Sequence, residues 1–356
     1  MKLCIIGNGL TSLTLAKYLV NNGIFVDILS NKKKFEINKF RTIGVSKSNL
    51  EFFNNNILDI KKLAWNINKI EIYSENLSNE RIINFENEKK ILFVIIKNHE
   101  LQKKLFSGLV NNKFCKFKYK KSFNNLDTKN YDLIINCDGN NEISRKYFFK
   151  KTKKNYHSFA HTSIIKHKKI INHTAFQNFT KKGPIAFLPI SPTETSVVYS
   201  IRGNQEVNLK DLIKKYNKKY EIIKFGQSSI FELKAANLRS YYYKNILAFG
   251  DLLHKLHPLA GQGFNMSLRD IKELTEVIKF KLDHGLVIND SVCIEFEGKT
   301  KHRNYLFSSG IDFIYELFNF ESRVKNKIFS KSIQLFTKNK FLNRSFQKIA
   351  NNGLEV

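Results

Sequence analysis

Lys2-Leu3-Cys4-Ile5-Ile6-Gly7-Asn8-Gly9-Leu10-Thr11-Ser12 opens the chain, and Leu13-Thr14-Leu15-Ala16-Lys17-Tyr18-Leu19-Val20 follows it. The apolar run 2–6 stops at a glycine. Leu13, Leu15, Ala16, Leu19 and Val20 then fall on one helical stripe, so 11–22 predicts a helix. Residues 24–29 (IFVDIL) return as a strand. This β-α-β unit predicts an α/β fold built on a parallel, Rossmann-like sheet. Gly7 permits the tight turn and Gly9 a close backbone approach. The helix behind them offers free N–H groups and a partial positive charge to a pyrophosphate. Gly7, Gly9, Leu10, Thr11 and Ser12 are therefore candidate dinucleotide ligands. Ser12 stands where a third glycine is usual. Ser30 ends the second strand, where a ribose-binding carboxylate is expected; its hydroxyl can still bond a ribose. Asp27 lies at the right sequence distance but in mid-strand, a poor position for that role.

Residues 131–137 and 245–249 are two further short buried-type strands, ending in Asp138-Gly139 and Gly250-Asp251. Alternating stretches at 68–73, within 82–96, and at 159–165, 184–188, 195–201 and 228–234 suggest half-buried, largely antiparallel strands. The nucleotide-binding pieces (1–66, 97–155 and 237–290) are thus interleaved with a mixed β-sheet substrate domain (67–96 and 156–236). A helical region, 291–356, closes the chain.

The most specific stretch is Gly250-Asp251-Leu252-Leu253-His254-Lys255-Leu256-His257-Pro258-Leu259-Ala260-Gly261-Gln262-Gly263-Phe264-Asn265-Met266-Ser267-Leu268-Arg269-Asp270. Asp251 ends a strand, where its carboxylate can accept from ribityl hydroxyls. Pro258 fixes a rigid turn. Gly261 and Gly263 let backbone lie against a flat ring, and the helix starting near Asn265 points its positive end at that ring. This block resembles the FAD-binding block of the class A flavoprotein aromatic monooxygenases. Ala175-Phe176-Gln177-Asn178-Phe179 through Gly183-Pro184-Ile185-Ala186-Phe187-Leu188-Pro189 narrows the resemblance to the UbiH/UbiF-like ubiquinone-biosynthesis hydroxylases. Arg41, Trp65 and the Asn98–Gln102 segment are similar to further segments of that family.

The resemblance implies FAD as cofactor, NAD(P)H as electron donor and O2 as co-substrate. It also implies hydroxylation of an aromatic ring, a prenylated phenol, through a C4a-hydroperoxyflavin. Arg41, Gln102, Asp138, Gly139, Gly250 and Asp251 would contact FAD. His257, Pro258, Ala260, Gly261, Gln262, Gly263, Phe264 and Asn265 would frame its ring, with His257 and Pro258 at the reacting edge. Leu252–Leu253, Ser12, Ser30 and Glu142 depart from the family pattern. They keep open a non-catalytic flavin-binding scaffold in a biosynthetic complex, and sister families hydroxylate unrelated small aromatics.

His254 and His257, three apart, have no Cys or clustered carboxylate at ligand spacing, so no metal is expected. Cys4, Cys115, Cys137 and Cys293 show no CxxC or zinc spacing and suggest a reducing compartment. No signal-peptide pattern precedes Leu3 and no apolar run is long enough for a membrane helix. The expected location is cytoplasmic, peripheral on the inner face of the cytoplasmic membrane.

The formal charge is +29, from 60 Lys+Arg against 31 Asp+Glu. It does not argue for nucleic acid, because 51 of the cations are Lys and 9 are Arg. That ratio, with abundant Asn, Ile, Phe and Tyr, follows AT-rich coding. One stretch stands apart: 322–354 carries no Asp or Glu and interleaves eight Lys and Arg with Phe and Ile. It suits an anionic membrane surface, or a terminal helix packing its Phe face on the domain.

Overall fold

The computed structural model describes residues 1–32, 39–77, 80–86, 91–124, 126–203, 207–256 and 262–324. The strands of the first sheet are β1 (Lys2–Ile6), β2 (Phe25–Ser30), β8 (Cys115–Tyr119), β9 (Leu133–Asn136), β15 (Tyr242–Tyr243) and β16 (Ile246–Ala248). Their spatial order is β15-β16-β9-β1-β2-β8. β1 runs parallel to both β2 and β9, and β16 runs parallel to β9. Leu3 through Ile6 and Leu133 through Ile135 are wholly buried. Continuous apolar runs of this kind mark strands covered on both faces. α1 (Leu10–Asn21) and α3 (Asn98–Val110) pack beside this sheet through Leu13, Leu19, Leu101 and Leu105.

A second sheet contains β5 (Lys69–Ser74), β6 (Glu80–Glu86), β10 (Lys151–His167), β11 (Thr174–Thr180), β12 (Gly183–Pro189), β13 (Glu194–Arg202), β14 (Ile222–Leu238) and β17 (His254–Lys255). Its order is β17-β14-β10-β13-β12-β11-β5-β6, antiparallel except for the β11–β5 pair. Burial along β12 alternates, as the sequence pattern requires of a sheet with two different faces. On one face Phe176, Phe187 and Tyr199 pack against Ile213 and Tyr216 of α5 (Leu209–Tyr216).

A small third sheet, order β3-β7-β4, is made of β3 (Thr42–Ser46), β4 (Trp65–Ile67) and β7 (Phe93–Lys97). β7 falls within the stretch 67–96 that the sequence assigned to the substrate sheet, yet it pairs with β3 from Thr42↔Lys97 to Ser46↔Phe93. Its Val94 and Ile96 side chains enter the core of the first sheet. β10 starts at Lys151, ahead of the expected boundary at 156. α2 (Lys47–Asn56) follows β3, and α4 (Glu142–Tyr147) follows β9. α6 (Gln262–Asp283) and α7 (Asp290–Val324) close the described chain. No described helix is long and apolar enough to cross a membrane. The stretch 322–354 lies outside the described residues from 325 onward.

Candidate functional site

Three parallel strands end together, and hydrogen bonds from the turns fix the alignment. Gly7 N donates to Leu29 O at 2.8 Å, Cys137 N to Ile6 O at 2.9 Å, and Phe249 N to Asn136 O at 2.9 Å. The turns after β1, β9 and β16 therefore share one edge, the carboxyl end of a parallel sheet, where α/β folds bind ligands.

Gly7 has φ +113°, a left-handed-side conformation that L side chains rarely adopt. A Cβ there would stand 3.1 Å from Ser12 Oγ and 3.5 Å from Asp138 Cβ. Ser12 is fully buried with its hydroxyl turned toward this turn and toward Cys137. It fills the third-glycine position as packing, and its side chain does not face outward. Gly250, φ +62°, sits against Thr11, whose Cγ2 would be 3.0 Å from an added Cβ. So Thr11 touches the third turn while Ser12 touches the second. At Gly9, Gly139 and Gly263 an added Cβ would meet nothing within 4 Å. These three are the open walls of the site.

Cys137 sits where the turns meet. Burial pushes its thiol up to about 12; the Ser12 hydroxyl opposes this, and the nearby Asp138 and Asp251 carboxylates add to it. The Asp138-Gly139 turn is locked from below. Asn136 Oδ1 accepts from Asn141 Nδ2 at 2.8 Å, Asn141 Oδ1 caps α4 through Ser144 N at 2.8 Å, and Ser144 Oγ donates to Asp138 O at 2.5 Å. Arg145 is exposed and approaches Glu142 at 4.0 Å. Asp251 is exposed on a single 3-10 turn at the rim.

Gln102, on α3, donates from Nε2 to Asn8 O at 3.4 Å, so α3 delivers it to the glycine turn. Arg41 is exposed at the start of β3, and its carbonyl accepts from Asn98 N, the first residue of α3. Ser30 Oγ accepts from Lys32 N at 3.0 Å and closes its own turn. Asp27 is buried and bound by Lys118 Nζ at 2.7 Å, Tyr131 OH at 2.9 Å and Lys2 Nζ at 3.3 Å, a structural carboxylate.

The amino end of α6 is held by Asn265, which is 2% exposed. Its Nδ2 donates to Gly44 O at 2.9 Å, and its Oδ1 accepts from Ser46 N and Asn49 Nδ2, both at 2.9 Å. The Asn265 side chain thus anchors the helix to β3, leaving ligand contact to the helix backbone. Phe264 packs on the core. Gln262 Oε1 is buried and unpartnered among the described residues, an acceptor placed beside the open Gly263. His257, Pro258, Ala260 and Gly261 lie outside the described residues. His254 Nε2 is bonded to Asp270 Oδ2, and Asn304 of α7 donates to Asp270 Oδ1 at 2.9 Å. Sequence reasoning missed this buried trio and Asn49, because polar residues on unconnected elements carry no local signal.

The second sheet's other face meets the third sheet. Thr42 Oγ1 of β3 donates to Ser196 Oγ at 2.9 Å, and Lys97 of β7 binds Glu194 at 2.8 Å. Ile164, Gln177, Ala186, Leu188 and Val198 are half-buried on that face, in rows fixed by the β10–β13 and β12–β13 registers. Tyr315 of α7 packs against Ala160 farther along.

The open glycine walls, the helix end and the orphaned acceptor fit a dinucleotide laid across the three turns. No protein-family model matches the chain. It is similar to the mitochondrial ubiquinone biosynthesis monooxygenase COQ6 of Schizosaccharomyces pombe, 23% identical over 62% of this chain and 57% of that protein. It is also similar to 3-demethoxyubiquinol 3-hydroxylase of Escherichia coli, 28% identical over 41% of this chain and 40% of that protein. The matched segments span about half the length of these relatives. Among solved structures, p-nitrophenol 4-monooxygenase PnpA of Pseudomonas putida superposes with a TM-score of 0.80 at 11% identity, over 99% of this chain and 98% of that one. HpxO of Klebsiella pneumoniae, complexed with FAD and uric acid, gives 0.76 at 13%, over 99% and 97%. The fold is that of the FAD-dependent monooxygenases.

Proposed function

We propose that this chain is an FAD-dependent monooxygenase that hydroxylates an aromatic ring, a prenylated phenol of ubiquinone biosynthesis. NAD(P)H is the proposed electron donor and O2 the co-substrate. The observation that carries the reading is the convergence of the Gly7, Asp138-Gly139 and Gly250-Asp251 turns on one sheet edge, with the α6 amino end beside them. Likeness to ubiquinone-biosynthesis monooxygenases and hydroxylases in sequence, and to FAD-dependent monooxygenases in fold, supports it.

Bound FAD would supply the oxygen-activating chemistry. The chain's own residues bind and orient. Gly9 and Gly139 leave room for the pyrophosphate, and Gln102 stiffens the glycine turn. Asp251 is placed for ribityl hydroxyls. The α6 amino end, held by Asn265, offers backbone N–H groups and a partial positive charge where electron density gathers on a reduced ring. The half-buried face of Ile164, Ala186, Leu188 and Val198 offers the substrate an apolar bed, with Gln177 its amide group. Contact with the inner membrane face through 322–354, and membership of a biosynthetic complex, complete the proposal.

Gly9→Ala tests it. Gly9 is in an extended conformation, φ −74°, and its Cβ would meet nothing in the protein. The variant should unfold at the wild-type temperature yet bind FAD at least about tenfold more weakly, read by quenching of flavin fluorescence. A wild-type protein that is colourless and takes up no FAD refutes the proposal.

A further inference from the structure

Arg269 stands on α6 one turn beyond the helix anchor, and the function above does not use it. Its Nε and Nη2 atoms are both buried, and neither has a hydrogen-bond partner among the described residues. These two N–H groups lie on the same edge of the guanidinium and point parallel. That edge is the fork that takes both oxygens of a carboxylate side-on. The plane of the group is fixed, because its carbon lies 4.4 Å from the ring centroid of Phe307 on α7. The adjacent carboxylate does not serve it: Asp270 spends its two oxygens on His254 and Asn304. Burial draws Arg269 below the usual arginine range, to about 10, with Asp270 pulling the other way, so it remains a cation at neutral pH. Its surroundings are apolar. Met266, Phe307 and Ile311 form a buried cluster, and Leu256 packs against it.

We propose that Arg269 is the anion receptor of a binding site for an aryl carboxylate, a benzoate-type acid, at the junction of α6 and α7. The fork takes the carboxylate. The aliphatic and aromatic walls take the ring, and they disfavour a strongly hydrated phosphate. The proposal goes beyond the hydroxylase reading, whose prenylated phenol carries no carboxylate, and requires no flavin chemistry.

Calorimetric titration of the purified full chain tests it, with benzoate, phenol and inorganic phosphate as probes. Arg269→Lys keeps the charge and loses the fork; Arg269→Gln loses both. Circular dichroism confirms that each variant is folded, and flavin absorbance is read on the same samples. Benzoate should bind the wild type, bind each variant at least tenfold more weakly, and outcompete phosphate, while phenol binds all three alike. Benzoate binding that is absent from the wild type, unchanged in Arg269→Lys, or displaced by equimolar phosphate overturns the proposal. A wild type that takes up no added FAD but still binds benzoate through Arg269 keeps this inference and sinks the hydroxylase reading, so the two fail separately.

Discussion

Replacing Asn265 by Ala should be among the most destabilising single changes in the described chain. The side chain makes three bonds of 2.9 Å to Gly44 O, Ser46 N and Asn49 Nδ2, at 2% exposure. A neutral hydrogen bond contributes about 1 kcal/mol net, and stripping a buried backbone group of its partner costs about 1–3 kcal/mol. Two backbone groups of β3 lose their partner here, so the expected loss is about 2–5 kcal/mol. At roughly 1.3 °C per kcal/mol for 356 residues, the melting temperature should fall by about 3–7 °C. Asn265→Asp separates the two halves of the clamp. It keeps the acceptor for Ser46 and Asn49 but turns an oxygen against the Gly44 carbonyl, so it should be at least as damaging as Ala. Asn49→Ala removes one arm and the 3.2 Å bond from the same Nδ2 to Asn265 O, and should cost about 1–3 kcal/mol. The double variant should lose less than the sum of the singles, because the two share a bond. Urea unfolding followed by circular dichroism measures all four. An Asn265→Ala loss within about 0.5 kcal/mol of zero, the range of an ordinary surface change, would refute the clamp.

Gly7→Ala should cost about 1–3 kcal/mol from its backbone conformation alone. Adding Ser12→Ala removes the 3.1 Å contact but should recover only part of the loss in thermal unfolding. Burial alone would raise the Asp27 carboxyl, but hydrogen bonds from Lys118 and Tyr131 and the charges of Lys118 and Lys2 hold it below the usual range. Its stabilisation is therefore present above about pH 4 and lost as pH falls through the depressed value. Asp27→Asn should flatten the acid limb of the stability profile, and an unchanged limb would speak against the network. Burial pushes Cys115 up to about 11 and Cys137 and Cys293 up to about 12, and raises Cys4 further still. At pH 8 no more than about one thiol in a thousand is ionised. A thiol reagent should count none of the four in the native protein within minutes and all four after unfolding.

The parts of the site carried by contiguous sequence were legible in it. Gly7, Asp138-Gly139 and Gly250-Asp251 each combine an apolar run with a small-residue turn, and a buried parallel strand leaves that trace. Gln102 was reached through resemblance alone, since nothing in helix periodicity distinguishes a glutamine that touches Asn8 from one in water. Asn265 was expected to frame the ring, but its side chain serves the protein: its partners lie more than 200 residues earlier, beyond any local pattern. The same distance hid Asn49. β7 misled because Phe93-Val94-Ile95-Ile96 reads alike in either sheet, and only its register with β3 decides. Nothing local in the sequence marks Arg269, since its missing acceptors show only when both helices are in place.

The strand order also has a consequence for biosynthesis. β1 ends at Ile6, but β16, which borders β9 in the same sheet, begins only at Ile246. At about 5–20 residues per second, a ribosome takes roughly 12–50 s to make the intervening chain. For roughly the last 5–22 s of that interval, once Leu133–Asn136 has been made, β9 presents a bare edge of unpaired amides and carbonyls, a template for pairing with other chains. The eight-stranded sheet is nested inside the unfinished one, so most of it must emerge before the first can close. Loss of folding in the inner sheet would therefore register as loss of the nucleotide cradle, although the cradle's first turn leaves the ribosome before any strand of that sheet.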